Sequence, residues 1–413
     1  MDVFGNLARS RFAVVILACC GVILMSPAAT SSARGDDRPL PEVKLLGSVL
    51  WPGTLVDKSG LTDAMEDGSP QNRLGGFGSG VAWTGRGDDY VLVPDRGPGD
   101  GAASYRCRYH TVRIRVETGA MPVVTAELTG TRLLSGPGGQ PLVGLAARFA
   151  PSDPTQPRRF DPEAIRVLPE GDLLIADEYG PGVWRFGPGG ESVGSLSVPG
   201  RFTIASPSAN PKQEFPPHNR SGRQPNRGIE GLALSPDGKT AHALLQGPLL
   251  QDGAVDDENE RIGRNVRWIV FDVASGAVLR ELVYVLDKPS LGLNEVEALS
   301  ATRFLVIERD GKAGVEAKVK RIQLVEIDGA TDVAGIEHLP GGDLPAGVQP
   351  VRKRTLIDLL DSRWGFAGEG FPEKTEGLAL GPTLADGSRV LVITSDNDFR
   401  PEVASRIDLF SVK

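Results

Sequence analysis

A glutamate recurs where short aliphatic runs begin: Glu163 in DPEAIRVLPEG, Glu230 in NRGIEGLALSPDG, Glu297 in NEVEALSATRF and Glu376 in KTEGLALGPTLADG. About one hairpin later, 11 to 20 residues on, each run ends in a second polar cluster. These are Asp177-Glu178-Tyr179, Gln246, Glu308-Arg309-Asp310 and Asp396-Asn397-Asp398, with Asp95-Arg96 closing an earlier run in which Ser79 holds the glutamate's place. Carboxylates gathered at that density repel one another unless protons or a cation neutralise them. A donor set rich in oxygen and poor in histidine suits a hard divalent cation, Ca²⁺ first and Mg²⁺ next. The expected metal ligands are Glu163, Glu230, Glu297, Glu376, Glu178, Asp396 and Asp398. One of Glu230, Glu297, Glu376 or Asp177, left unliganded, would serve as general base.

Basic residues stand beside these acids: Arg96, Arg309 and Lys374, with Arg227 three positions before Glu230. They are the expected contacts to a phosphoryl group. Each of them also has a neighbouring carboxylate as an alternative partner. The glutamates in turn have a purely structural alternative, hydrogen bonding to the backbone of the next unit. Other chemistries find no support. His110, His218, His242 and His338 show no zinc spacing, and the chain has no GxSxG, no phosphate-binding loop and no cysteine placed near an activating histidine.

What must position these residues is a repeated hairpin. YVLVPD, DLLIADEYG, VRWIVFDV, RFLVIERDG and RVLVITSDND read as strands, and SPDG, PEG and ADG as the turns between them. The recurrent glutamates are spaced 67, 67 and 79 residues apart, and Ser79 precedes the first by 84. A hairpin-rich repeat of that length predicts an all-β propeller, with six blades preferred and five or seven possible. VKLLGSVLWPG, from Val43, either closes the ring or starts another blade. In such a fold the glutamates open the strands that line the channel, and so form a ring at one mouth. Leu61–Gly76, Arg201–Gly228 and Gly329–Lys374 are expected as long loops on one face, the last with a helix-like spacing at Leu356, Leu359 and Leu360.

The start of the chain reads differently. Arg9 and Arg11 precede an apolar run, Phe12 to Met25, followed by SPAATSSA, which predicts a signal peptide over residues 1–33, a disordered tail over 34–42 and the propeller over 43–413. The apolar run is too short for a membrane span. Removing residues 1–33 takes away Asp2, Arg9 and Arg11 and leaves 43 basic against 52 acidic residues, a balance that argues against nucleic-acid binding. It also removes Cys19 and Cys20, leaving Cys107 alone and no intramolecular disulfide. The expected location is therefore outside the cytoplasm, periplasmic or secreted.

Taken together and in order, NRGIEGLALSPDGK, FDPEAIRVLPEGDLLIADEYG, NEVEALSATRFLVIERD and KTEGLALGP…VLVITSDNDF resemble the exported bacterial phytase-like proteins, described by an esterase-like activity. The resemblance covers about Gly75 to Leu409. It implies a propeller with phosphodiesterase- or phosphatase-like activity carried by Glu163, Glu230, Glu297 and Glu376 with Asp177, Glu178, Asp396 and Asp398. The expected function is a metal-dependent hydrolase of small-molecule phosphate esters. Two alternatives remain at this point: a calcium-dependent carboxylic ester or lactone hydrolase, and a non-catalytic binding propeller with structural calcium.

Overall fold

Hairpins joined into antiparallel sheets account for nearly all the regular structure in the computed structural model, which describes residues 39–413 apart from 120, 151 and 154. The signal peptide and most of the expected tail fall on residues outside this range. Pro41–Lys413 forms one unit. No helix among the described residues is long and apolar enough to cross a membrane.

Five four-stranded antiparallel sheets form the blades. Their inner strands are Phe77–Trp83, Pro162–Val167, Ile229–Leu234, Gly292–Ala298 and Lys374–Thr383, in blades 1 to 5. Each inner strand packs against the inner strands of the two adjacent blades, which closes the ring. The ring has five blades and not six because Val43–Trp51 is the outer strand of blade 5, paired antiparallel with Ser405–Val412. The length that favoured a sixth blade lies in the segments between blades. Backbone bonds between Glu42 and Lys413 extend the closure by one step.

Alternating aliphatic residues give each sheet two apolar faces, and the cores lie between blades. One core joins blades 2, 3 and 4 around Trp268, and others join blade 4 to 5, 5 to 1 and 1 to 2. Near the axis the inner strands approach too closely for side chains at some positions. A Cβ on Gly80 would stand 2.7 Å from Ala164 Cα, and one on Gly231 would stand 3.0 Å from Glu295 Cα. Glycine is therefore required there for packing.

The loop expectations hold in part. Leu61–Gly76 and Arg201–Gly228 lead into the starts of two inner strands. Residues 329–351 instead lie along the outer strand of blade 3, where Val333 N–H donates to Glu281 O and Val351 N–H to Val283 O. The helix-like spacing at Leu356 is a strand, Arg352–Asp358, followed by a short 3-10 turn. Pairing with Lys320–Glu326 satisfies its backbone, and that tertiary contact overrides the local pattern.

A buried arginine occupies the channel. Arg166 Nη1 donates to Val81 O in blade 1 (2.9 Å), and Nη2 to Val296 O in blade 4 (2.6 Å) and Leu378 O in blade 5 (3.2 Å). It pairs with Glu295 and Glu297, each at 3.2 Å, and Glu295 accepts from Leu232 N–H in blade 3 (2.8 Å). Arg166 belongs to blade 2, so one guanidinium and its carboxylate partner touch all five inner strands. Replacing Arg166 by methionine would leave Glu295 buried without its counter-ion. The expected loss is about 3–5 kcal/mol of folding stability, measured by urea unfolding at neutral pH.

Candidate functional site

The inner strands all enter the ring from the same face, and an irregularity marks the entry of each. Register slips between Pro162 and Ile165, Ile229 and Gly231, Leu293 and Val296, and Thr375 and Gly377. A bulge inserts an unpaired residue and re-aims its side chain, and Glu163, Glu230 and Glu376 occupy those positions. In blade 4 the corresponding residue is Asn294, whose Nδ2 donates to Glu230 Oε1 at 2.8 Å. Glu297 lies three residues further along the strand, pairs with Arg166 and is separated from the mouth. The sequence alignment through EALS therefore ran three residues out of register with the fold. In blade 1, Ser79 takes the place, and its hydroxyl donates to Glu376 Oε2 at 3.3 Å.

The second strands return to the same mouth and deliver the second set. Asp161, Glu163 and Glu178 form one buried group, with carboxylate oxygens within 4.8 Å of one another. Asp95, Asp396 and Asp398 form another, also within 4.8 Å. The turn that shapes it runs through Asp398 and Phe399, both left-handed (φ 53° and 56°). Asn397 Oδ1 holds that turn by accepting from Gly76 N–H and Phe399 N–H. Asp177 braces the mouth from behind, since its Oδ1 accepts from Asp161 N–H and Tyr179 N–H. Glu308 and Asp310, which also end a second strand, face elsewhere. Glu308 bonds Tyr284 and Lys353, and Asp310 pairs with Lys320.

Of the expected phosphoryl contacts, Lys374, Arg96 and Arg309 are already engaged by carboxylates. Lys374 Nζ lies 2.5 Å from Asp398, 3.4 Å from Asp95 and 3.6 Å from Asp396. Arg96 pairs with Asp161, with Glu178 at 3.4 Å, and also donates to Asn226. Arg309 donates to Glu376 Oε1 at 2.6 Å. Asp161 and Asn294 were not singled out from the sequence. Asp161 had a visible signal, a carboxylate two residues before Glu163 in FDPE. Asn294 had none, because only the blade register identifies it.

Burial decides the protonation of the cluster. Desolvation, then Glu230 and Asp161, push Glu163 well above the ordinary carboxylate value. Desolvation, then Glu178 and Glu376, do the same to Glu230. Asp95, Asp161 and Asp177 each rise to about 6, chiefly through desolvation. Glu230 Oε1 accepts from Gln246 at 2.6 Å as well as from Asn294, whereas Glu230 Oε2 is buried and has no hydrogen-bond partner. Glu178 and Glu376 act on the Glu230 carboxylate, with Arg309 opposing them. The donor set of Asp161, Glu163 and Glu178 fits a hard divalent cation, which these three would hold with Glu230 beside them. His110 and His242 lie inside blades and bond Thr131 and Trp268, so they contribute no ligand here.

Fold and site together define a five-bladed propeller with a buried carboxylate cluster at one mouth of its channel. The sequence profile of the phytase-like family, described as the esterase-like activity of phytase, matches residues 72–399, and the chain belongs to that family. An uncharacterized secreted protein of Arthroderma benhamiae is 27% identical over 340 residues. The match covers 66% of this chain and 64% of that protein's own length. Among solved structures, a gluconolactonase of Xanthomonas campestris is 12% identical, over 91% of this chain and 96% of that one, with a TM-score of 0.36. A hydrazine synthase of Kuenenia stuttgartiensis is 13% identical, over 82% and 78%, with a TM-score of 0.35. Nothing about chemistry follows from structural likeness at that level.

The raised values fix the sign of a pH effect in metal-free buffer. Between pH 3.8, the ordinary aspartate value, and about 6, the folded state of Asp177 binds more protons than the unfolded state. Stability from this group is therefore greatest below pH 3.8 and declines as pH rises through 6. Asp177→Asn keeps the Oδ1 acceptor and removes the titration. Its unfolding free energy, measured by denaturant from pH 4 to about 7, is expected to decline less steeply than that of the parent.

Proposed function

We propose that the chain is an exported, calcium-dependent hydrolase of phosphate esters working at this mouth. The observation that carries the reading is the buried carboxylate cluster around Glu230, with its unpartnered Oε2 and an all-oxygen donor set. Ca²⁺ is the first choice and Mg²⁺ the second, because hard oxygen donors without imidazole favour both and flexible carboxylate geometry favours the larger ion. When bound, the cation would polarise a phosphoryl oxygen and ease deprotonation of water. Glu163, Asp161 and Glu178 would hold it in place, and Gln246 and Asn294 fix the Glu230 carboxylate. Glu230, desolvated and raised in proton affinity, accepts a proton from the attacking water. Arg309 and Glu376 form the opposite wall.

Glu297, bound to Arg166, takes no part, and Asp177 positions the mouth through Asp161 and Tyr179. The family's esterase-like description supports ester cleavage and favours a second reading, hydrolysis of carboxylic esters. The secreted relative from Arthroderma benhamiae supports action outside the cytoplasm, periplasmic or secreted.

The test is turnover of p-nitrophenyl phosphate, bis(p-nitrophenyl) phosphate and p-nitrophenyl acetate, with calcium and with chelator. Phosphate-ester turnover is expected only with calcium, and Glu230→Gln should lower it roughly 100-fold or more. Turnover of acetate alone would replace this reading by the second. A calcium-induced rise in melting temperature with no turnover of any ester would make the cluster a structural clasp. The same rise, followed by scanning fluorimetry, is expected to be larger at neutral pH than near pH 5, because protons compete with the cation for these carboxylates.

A further inference from the structure

Seven arginines are buried among the described residues: Arg96, Arg108, Arg166, Arg223, Arg227, Arg267 and Arg309. Six have a carboxylate counter-ion: Asp161, Asp57, Glu295, Glu214, Asp252 and Glu376 in turn. Arg227 is the exception. Its side chain makes one hydrogen bond among the described residues, from Nη1 to Leu291 O at 2.8 Å. A buried guanidinium without an anion is costly to the fold, so its retention at the mouth points to an anion supplied from outside.

Its surroundings reinforce the point. Arg227 passes over Gly247, where an added Cβ would stand 2.9 Å from Arg227 Cδ and 3.1 Å from Gln224 Nε2. The other end of that amide, Gln224 Oε1, accepts from Arg261 Nε at 3.3 Å. Arg261 is exposed at the rim and forms no ion pair among the described residues. Gly247, by lacking a side chain, thus lets Gln224 bring two arginines together beside Glu230. Burial, then Arg261, with Arg309 further down, push Arg227 to about 9, against the pull of Glu230 and Glu178. For a guanidinium, which keeps its proton at neutral pH, that direction records burial and neighbouring cations that Glu230 and Glu178 do not offset. Arg309 completes the group. It shares one arm with Glu376, and its buried Nε has no partner.

We propose that Arg227, Arg261 and Arg309 form an oxyanion clamp on the blade 3 and blade 4 side of the mouth, and that it selects a doubly charged phosphoryl group, so that the substrate is a phosphate monoester. Two guanidinium charges without carboxylate partners match the two charges of a monoester, whereas a diester carries one. Arg96 and Lys374 are held by carboxylates and do not take this part. The inference rests on the phosphate-ester reading for its substrate, and its test does not depend on turnover.

Phenylphosphonate and its monomethyl ester are non-hydrolysable stand-ins for a monoester and a diester with the same aryl group. Their binding to the calcium-loaded protein is measured by calorimetry at about pH 8, where the phosphonate is doubly charged. The dianion is expected to bind roughly 10-fold more tightly than its methyl ester, and each of Arg227→Gln and Arg261→Gln to abolish most of that preference. Equal affinity for the two ligands, or an unchanged preference in both variants, overturns the clamp. Melting temperatures check the fold of the variants, and Arg261, being exposed, gives a variant that keeps the test decisive if Arg227→Gln does not fold. A dianion preference without turnover of any ester would retain the clamp and remove the hydrolase. Calcium-dependent turnover without that preference would do the reverse.

Discussion

Arg166 sends its guanidinium into the centre of the ring, where inner-strand carbonyls of blades 1, 4 and 5 accept its protons and Glu295 links it to blade 3. Backbone carbonyls in a dry channel need donors, and a planar fork with five N–H groups can serve several strands at once. The position of the mouth residues follows from this arrangement. Glu295 is bonded to Arg166 and to Leu232 N–H, which fixes the irregular stretch of blade 4, and the adjacent Asn294 is thereby aimed at Glu230. A lost hub would loosen the ring and the mouth together, because Glu295 of the hub and Asn294 of the mouth are neighbours in one irregular stretch.

Above that hub the chain concentrates negative charge in a place shielded from water. The cationic residues there fall into two kinds. Arg96 and Lys374 lie inside carboxylate groups and compensate them, so they help to build the mouth. Among the described residues Arg227 and Arg261 have no carboxylate partner, and Glu230 Oε2 has no donor. Unbalanced charges of both signs at the same opening are a poor arrangement for stability alone. They suit a ligand that brings a cation and an anionic group together, as a phosphate ester bound with a divalent ion does.

Several of these features were legible before any coordinates. The glutamates at 163, 230 and 376 stood out because a propeller repeats its blade, and each blade begins its inner strand with the same bulge. The propeller class followed from hairpin turns such as SPDG and PEG between aliphatic runs. Glu297 misled because EALS matches the aliphatic phase of the other units, and a local match cannot detect where a bulge falls. The blade count misled for a related reason. Val43–Trp51 joins the last sheet from the opposite end of the chain, and the surplus length of the interblade segments looks like blade when it is divided evenly.

The sequence by itself determined the kind of structure and the residue types gathered at its mouth. Alternating apolar residues dictate strands, glycine and aspartate dictate the turns, and the recurrent glutamates supply a mouth rich in carboxylates and poor in histidine. Tertiary structure alone decided which charges meet. Asn294 rather than Glu297 faces Glu230 because strand register sets side-chain direction. Among the described residues Arg227 lacks a counter-ion and Arg96 has one, because loops distant in sequence either supply a carboxylate or do not. Pairing of that kind depends on distances of a few ångströms across blade boundaries, and those distances exist only once the ring has closed.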